Sequence, residues 1–305
     1  MEKFELHILG CGSALPTLKH APSSQIINLR DKLFMIDCGE GTQVQMRHTG
    51  LHFSRLNHIF ISHLHGDHCF GLIGLISTFG MMGRTAQLHL YSPGTMLEQI
   101  LKPQLEFFCK DMAYEVVFHS FSPNHSETIY DDRSVTVKTL PLKHNVPCCG
   151  FFFEEKPQLP HIRKDMIDFL KIPIFEINRI KAGGDWTDTE GKIWKHEQLT
   201  IPTPPGRKYA YVSDTMPNEK LIDIISGCDL LYHEATFAEN EKARAKETNH
   251  STARQAAEFA VMAQVKKLAI GHFSARYDDD KILQKEAKDV FPNVILCHEK
   301  MKIVL

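Results

Sequence analysis

The sequence predicts a layered α/β protein. Strand-like apolar runs alternate with helix-period segments along most of the chain, turn residues separate them, and 305 residues suit one large domain or two small ones. Short β-rich runs open the sequence at Phe4 to Leu9, Gln25 to Leu29 and Leu33 to Ile36, divided by Gly, Pro and Ser. A helix is expected near Thr42 to His48. Then come strand His58 to Ile61, helix Leu72 to Phe79, strand Leu88 to Tyr91, a helix after Pro93, and a run of strands between Tyr114 and Leu140. Between Gly150 and Arg207 the pattern breaks into a stretch punctuated by Pro, Lys and Gly. About 55 residues without strong periodicity exceed a plain loop, so an inserted arm or small subdomain is expected there. Alternation resumes with strand Tyr209 to Ser213, helix Asn218 to Ile225, strand Leu230 to His233 and helix Thr252 to Met262. Strand Lys267 to Ile270, helix Asp279 to Val290 and two short strands close the chain.

Composition narrows the function. With 43% hydrophobic and 24% charged residues the chain reads as an ordinary soluble protein. A net charge of −2 excludes a generally basic nucleic-acid-coating protein but allows a local basic patch. Met1 to Leu9 lacks a basic region followed by a long apolar stretch, and no segment approaches a membrane span, so a cytoplasmic protein is expected. The eight cysteines lack CxxC spacing, which argues against a zinc ribbon and a secreted disulfide framework. The adjacent Cys148 and Cys149 read as core residues, because neighbouring strand side chains face opposite ways. Histidine is the anomaly: eighteen of them form a supply of neutral nitrogen donors that points to metal chemistry.

That supply concentrates in His63-Leu64-His65-Gly66-Asp67-His68, four metal-ligating side chains within six residues directly after a predicted strand. A loop at a strand end lets side chains fan in several directions, so one short segment serves two ions. Gly66 supplies a tight turn and Phe70-Gly71-Leu72 an apolar anchor; a merely solvated polar loop needs neither. Two ions require more donors, and His144, Asp214 and His272 each follow a predicted strand. Taken singly, such a residue is ordinarily a turn residue or helix cap.

Together these segments resemble the ribonuclease Z branch of the metallo-β-lactamase superfamily. The resemblance spans nearly the whole chain. It rests on Gly10-Cys11-Gly12-Ser13-Ala14-Leu15-Pro16-Thr17, Asp37-Cys38-Gly39-Glu40-Gly41-Thr42-Gln43 and the HxHxDH element, and on residues 142–151 and Ser213-Asp214-Thr215. His233-Glu234-Ala235-Thr236-Phe237, His250-Ser251-Thr252 and residues 271–277 complete it. The pairing of the His-Glu-Ala-Thr and His-Ser-Thr segments with an inserted arm is the most specific part. The resemblance implies a four-layer αββα sandwich over residues 1–305, a flexible tRNA-binding arm inserted at 151–206, a homodimer, and two zinc ions per subunit. It implies that His63, His65, His144 and a bridging Asp214 hold one ion, and Asp67, His68, His272 and Asp214 the other. A carboxylate has two oxygens with which to bridge, whereas an imidazole cannot bridge in this way. The implied activity is removal of the 3′ trailer from precursor tRNA, leaving a 3′-hydroxyl on the tRNA and a 5′-phosphate on the trailer. Asp67 would orient the attacking water and take its proton, and His250, steered by Glu234, would protonate the departing oxygen.

Each assignment has a plainer competitor. His250 precedes Ser-Thr where a helix starts, Glu234 could be a simple strand-end acid, and Asp37 reads as a residue supporting a ligand histidine rather than a ligand. The arm carries Lys156, Arg163, Lys164, Lys171, Arg179 and Lys181, which suits phosphate contacts; a solvated linker or a lid is the alternative. Two segments depart from the family. Leu18-Lys19-His20-Ala21 stands where Lys-x-Arg-Asn is common, and Ile172-Pro173-Ile174-Phe175 stands in place of a Gly-Pro signature. The competing functions are a small-molecule phosphodiesterase, arylsulfatase or lactonase of the same superfamily, and an inactive RNA-binding subunit.

Overall fold

The computed structural model describes residues 2–305, and the chain divides into two compact units. The larger comprises residues up to Asp132, Thr136–Glu154 and Arg207–Leu305; the smaller comprises Arg133–Val135 and Glu155–Gly206.

Two seven-stranded sheets build the larger unit. The first runs in the order Lys302–Val304, Phe4–Gly10, Ser24–Leu29, Lys32–Ile36, Leu56–Phe60, Leu88–Pro93, Val116–Phe121. Its second to fourth strands pair antiparallel, the third and fourth joined by the tight turn at Arg30 and Asp31, and its last four pair parallel. The other sheet runs Val294–Leu296, Leu268–Gly271, Leu230–Glu234, Lys208–Val212, Cys149–Glu155, Val135–Pro141, Thr128–Asp131. Its first four strands are parallel.

Alternation along each strand sorts side chains between two layers. Leu33, Met35, Ile59, Ile61, Leu88 and Leu90 face helices Leu72–Met81 and Met96–Phe108, which present Leu72, Leu75, Ile76, Phe79, Leu97 and Leu101. On the opposite face Phe34 and Phe60 meet Phe153 of the second sheet at ring separations of 5.9 and 5.7 Å. Helices Ala253–Met262 and Lys281–Lys288 flank the second sheet. The expected αββα sandwich is therefore the architecture of this unit. Thr252 caps helix Ala253–Met262 by accepting from the Gln255 amide, with the Gln255 side chain returning the bond.

The expected break at Gly150 comes too early. Phe151, Phe152 and Phe153 are buried in a strand between Lys208–Val212 and Val135–Pro141, and a run of aromatics flanked by Gly150 hid its period of two. The expected helix Asn218 to Ile225 is a short 3-10 turn, Glu219–Leu221, followed by one α turn, Ile222–Ile225.

The smaller unit has order of its own. Helices Lys164–Leu170 and Ile174–Lys181 and two strand pairs, His161–Ile162 with Thr200–Ile201 and Trp186–Thr187 with Ile193–Trp194, enclose a small core. Ile172, Ile180 and Leu199 form that core, with Met166, Ile167, Trp186 and Trp194 against it. Arg163 pairs with Asp165, Arg179 with Glu176, and the Lys192 ammonium lies 4.0 Å over the Trp194 ring.

Candidate metal centre

Parallel strands bring their carboxyl ends to one edge of a sheet, and there the loops carry chemistry-bearing side chains. Asp37 follows Lys32–Ile36, His63 follows Leu56–Phe60, Asp214 follows Lys208–Val212, Glu234 ends Leu230–Glu234, and His272 follows Leu268–Gly271. Asp37, Asp214 and His272 take left-handed backbone angles, φ 56°, 58° and 60°. Each such turn costs roughly 1 kcal/mol or more and ends the strand abruptly.

Six of the seven expected ligand positions cluster around the seventh, Asp214. His63 Nε2 lies 3.0 Å from His65 Nδ1, which lies 3.3 Å from His144 Nε2, and Asp214 Oδ1 stands 4.0 Å from His63. On the other side His68 Nε2 is 3.3 Å from Asp214 Oδ2 and 3.4 Å from Asp67 Oδ2. His272 Nε2 is 3.2 Å from Asp214 Oδ1 and 3.6 Å from Asp67 Oδ2. The two oxygens of Asp214 thus face both His68 and His272 while the first triad converges beside them.

The second nitrogens are engaged in a way that sets the ring states. His68 Nδ1 donates to Asp37 Oδ2 at 2.8 Å. His63 Nδ1 meets the Ser62 hydroxyl at 3.0 Å, and that hydroxyl donates to Asp37 at 2.9 Å. His272 Nδ1 meets the Thr236 hydroxyl at 2.9 Å, and Thr236 donates to Glu234 at 2.5 Å. His144 Nδ1 faces the Asn249 carbonyl at 3.4 Å. Because each hydroxyl spends its hydrogen on a carboxylate, its oxygen must accept from the imidazole, leaving Nε2 as the lone-pair donor.

Two buried atoms then stand out. His68 Nε2 and His272 Nε2 have no hydrogen-bond partner among the described residues, although both face carboxylate oxygens. Separations of 3.2–3.4 Å are long for charge-assisted hydrogen bonds but match two donors on a common ion, ~3.3 Å for tetrahedral bonds near 2.0 Å. These residues fit a divalent metal. Burial disfavours charge on His68, yet Asp214, Asp37 and Asp67 outweigh it and hold its pKa well above the ordinary imidazole value. Burial and the neighbouring imidazoles push His63 down. Burial opposes ionisation of Asp67 and Asp214, but the surrounding imidazoles keep both well below the usual carboxylate range.

Beside the cluster, both oxygens of Glu234 lie 3.0 Å from His250 Nδ1. Burial would lower His250, but Glu234 and Asp214 raise it to about 9. Glu234 is fully buried and also accepts from the Thr215 and Ser251 amides, which excludes the reading of an exposed strand-end acid. Asp37 is likewise buried and binds Ser62, His68 and Tyr211, a supporting position.

Sequence reasoning missed Ser62, Thr236, Tyr211 and the Ala14 amide, which donates to Asp67 Oδ2 at 2.8 Å. Ser62 and Thr236 lie next to singled-out residues and were open to detection as hydroxyls adjoining a ligand; a tyrosine in a strand and a backbone amide carry no such signal.

Comparison with known proteins follows the same lines. A family model described as "Anti-Pycsar protein Apyc1" matches residues 4–160. A ribonuclease Z of Bacteroides fragilis (strain YCH46) is 61% identical over 305 residues, covering 100% of both chains. The crystal structure of human tRNase Z, short form, aligns with a TM-score of 0.71 at 25% identity, covering 98% of both chains. The metallo-β-lactamase fold protein YhfI from Bacillus subtilis aligns at 0.70 with 18% identity and 100% of both chains covered.

Proposed function

The chain belongs to the ribonuclease Z family, and on that premise we propose how it works as an endoribonuclease that matures the 3′ ends of transfer RNA. The observation that carries the mechanism is the pair of partnerless buried nitrogens, His68 Nε2 and His272 Nε2, facing the oxygens of Asp67 and Asp214.

His63, His65, His144 and Asp214 would hold one zinc ion, and Asp67, His68, His272 and Asp214 a second. Bound there, two divalent cations acidify water and neutralise charge that grows on a phosphodiester. Asp67, fixed by the Ala14 amide, orients the attacking water and accepts its proton. Water oxygen bonds to phosphorus as the bond to the 3′ oxygen breaks. His250 has committed Nδ1 to Glu234, so Nε2 carries the proton that the departing 3′ oxygen takes up, and a pKa near 9 keeps that proton in place at neutral pH. The products are a 3′-hydroxyl on the tRNA and a 5′-phosphate on the trailer.

The arm, residues Glu155–Gly206 of the smaller unit, is the grip on precursor tRNA. Arg163 and Arg179 are already paired with acids, leaving Lys164, Lys171 and Lys181 for phosphate. Binding energy from the arm would position the scissile phosphate, which an open hydrolytic centre cannot select unaided. The enzyme acts as a cytoplasmic homodimer. Among the described residues no helix is long and apolar enough to cross a membrane, and Met81, Phe107 and Phe108 line an exposed recess of about 280 Å³, a surface suited to a second copy.

The test compares the native protein with K164A/K171A/K181A and with H65A, on a 3′-extended precursor tRNA and on a small aryl phosphodiester. The lysine variant should lose at least about tenfold in kcat/KM on precursor tRNA alone, and H65A should lose both activities together with bound zinc. Undiminished precursor cleavage by the lysine variant removes the arm assignment; zinc and turnover retained by H65A remove the metal assignment.

A further inference from the structure

Away from the metal centre, one buried ion cluster has no part in the mechanism above. His20 Nε2 lies 2.8 Å from Asp280 Oδ2, and His20 Nδ1 lies 3.1 Å from Glu299 Oε2. With a carboxylate facing each nitrogen, both nitrogens carry protons and the ring is an imidazolium. Lys19 also reaches Asp280, at 2.7 Å, and the Cys11 thiol sits 3.5 Å from His20 Nδ1 and 3.7 Å from Glu299. Cys11, His20 and Glu299 approach one another as cation ligands would. The imidazolium and the Lys19 ammonium together balance the two carboxylates, so the cluster needs no ion.

What His20 holds is a loop. Ala14, Leu15, Pro16, Leu18 and Lys19 are exposed, and His20 is the first buried side chain after Cys11. The base of the loop is closed by the Gly12 amide on the Ala21 carbonyl, 3.0 Å, and by the Ala21 amide on Glu299, 2.9 Å. Its outgoing limb is tied to Phe273, the residue after His272, through Ser13 N–H to the Phe273 carbonyl at 3.0 Å and Phe273 N–H to the Cys11 carbonyl at 2.9 Å. At its tip Ala14, at φ 54°, donates to Asp67.

We propose that His20 is a positioning residue for the cleavage reaction: clamped between Asp280 and Glu299, it anchors the loop whose Ala14 amide orients Asp67. This rests on the reading of Asp67 given above. A neutral amide at position 20 cannot place a donor nitrogen on each acid as the two ring nitrogens do, so the charge between Asp280 and Glu299 is lost and the loop is left with its backbone ties. Burial disfavours the charge, but Asp280 and Glu299 raise the pKa to about 9, so the clamp holds at neutral pH and opens in alkali.

The experiment uses zinc-loaded full-length protein with His20→Gln, His20→Arg and Asp67→Asn. Hydrogen exchange of the Ala14 amide should accelerate about tenfold or more in H20Q, and kcat on a 3′-extended precursor tRNA should fall about tenfold with KM held within about twofold. H20R keeps a permanent charge between the two acids, so it should restore both kcat and the native exchange rate of the Ala14 amide. Unchanged Ala14 exchange in H20Q, or Ala14 exchange in H20R as fast as in H20Q, overturns the anchor. Undiminished turnover in D67N overturns the Asp67 reading alone, since Ala14 exchange reports the anchor independently of it.

Discussion

The Thr236 hydroxyl joins Glu234 to His272: it donates to the carboxylate and accepts from Nδ1 of the imidazole at 2.9 Å. The same construction recurs across the centre, where Ser62 donates to Asp37 and accepts from His63. One buried carboxylate on each side therefore fixes the ring state of a histidine it does not touch, and each also binds a second histidine directly, Glu234 to His250 and Asp37 to His68.

Replacing Thr236 with Val keeps the volume and removes the hydroxyl. Zinc affinity is expected to fall about 10- to 100-fold, because His272 loses the partner that presents Nε2 as a lone pair. Equilibrium dialysis against a chelator measures it, and Thr236→Ser should restore binding. Native affinity in T236V would show that His272 needs no such partner.

Asp37→Asn tests the other side. Asp37 is the shared acceptor of the Ser62 amide and hydroxyl, His68 and Tyr211, all buried, so an amide leaves at least one donor facing a donor. A loss of about 3 kcal/mol in denaturant unfolding is expected, with zinc content reduced as well. Tyr211→Phe removes only one of these bonds and should cost about 1 kcal/mol.

Three histidines elsewhere predict acid lability. His58 and His89 stack across neighbouring strands at 5.0 Å, and His89 Nδ1 lies 3.0 Å from His119 Nε2. Burial first, then mutual repulsion, pushes His58 down to about 4 and lowers His119; for His89 burial and Arg84 do so. The folded state then binds fewer protons than the unfolded chain below the ordinary pKa of 6.5. The stabilisation is whole above that value and is lost as pH falls toward 4, by about 2 kcal/mol for His58. Urea midpoints measured from pH 7 to 4 should fall accordingly, and His58→Phe should flatten the decline; an unchanged slope in that variant contradicts the assignment.

Gly39 sits beneath the metal loop, where a Cβ would come within 2.5 Å of the Asp67 carbonyl and of Pro22. Gly39→Ala should cost about 1–3 kcal/mol and weaken zinc binding by displacing Asp67, measured by thermal unfolding with and without chelator. Equal losses with and without chelator would mean that the displacement does not reach the centre.

The layered α/β alternation and the HxHxDH loop were legible because each is local: strand and helix periods repeat within ten residues, and four ligands fall within six; the αββα order came from the family resemblance. His144, Asp214 and His272 were legible by position, since a side chain just past a strand end joins others there. Strand Cys149–Glu155 was not, because aromatic residues buried on both faces leave no alternation to read. What the chain by itself determined is the set of donors and the scaffold that gathers them. Only the tertiary structure decided which nitrogen of each ring faces inward, that Asp37 and Glu234 work through Ser62 and Thr236, and that His20 reaches Asp280 and Glu299. Hydrogen bonds between residues hundreds of positions apart depend on ångström-scale packing of whole layers, and no local pattern encodes it.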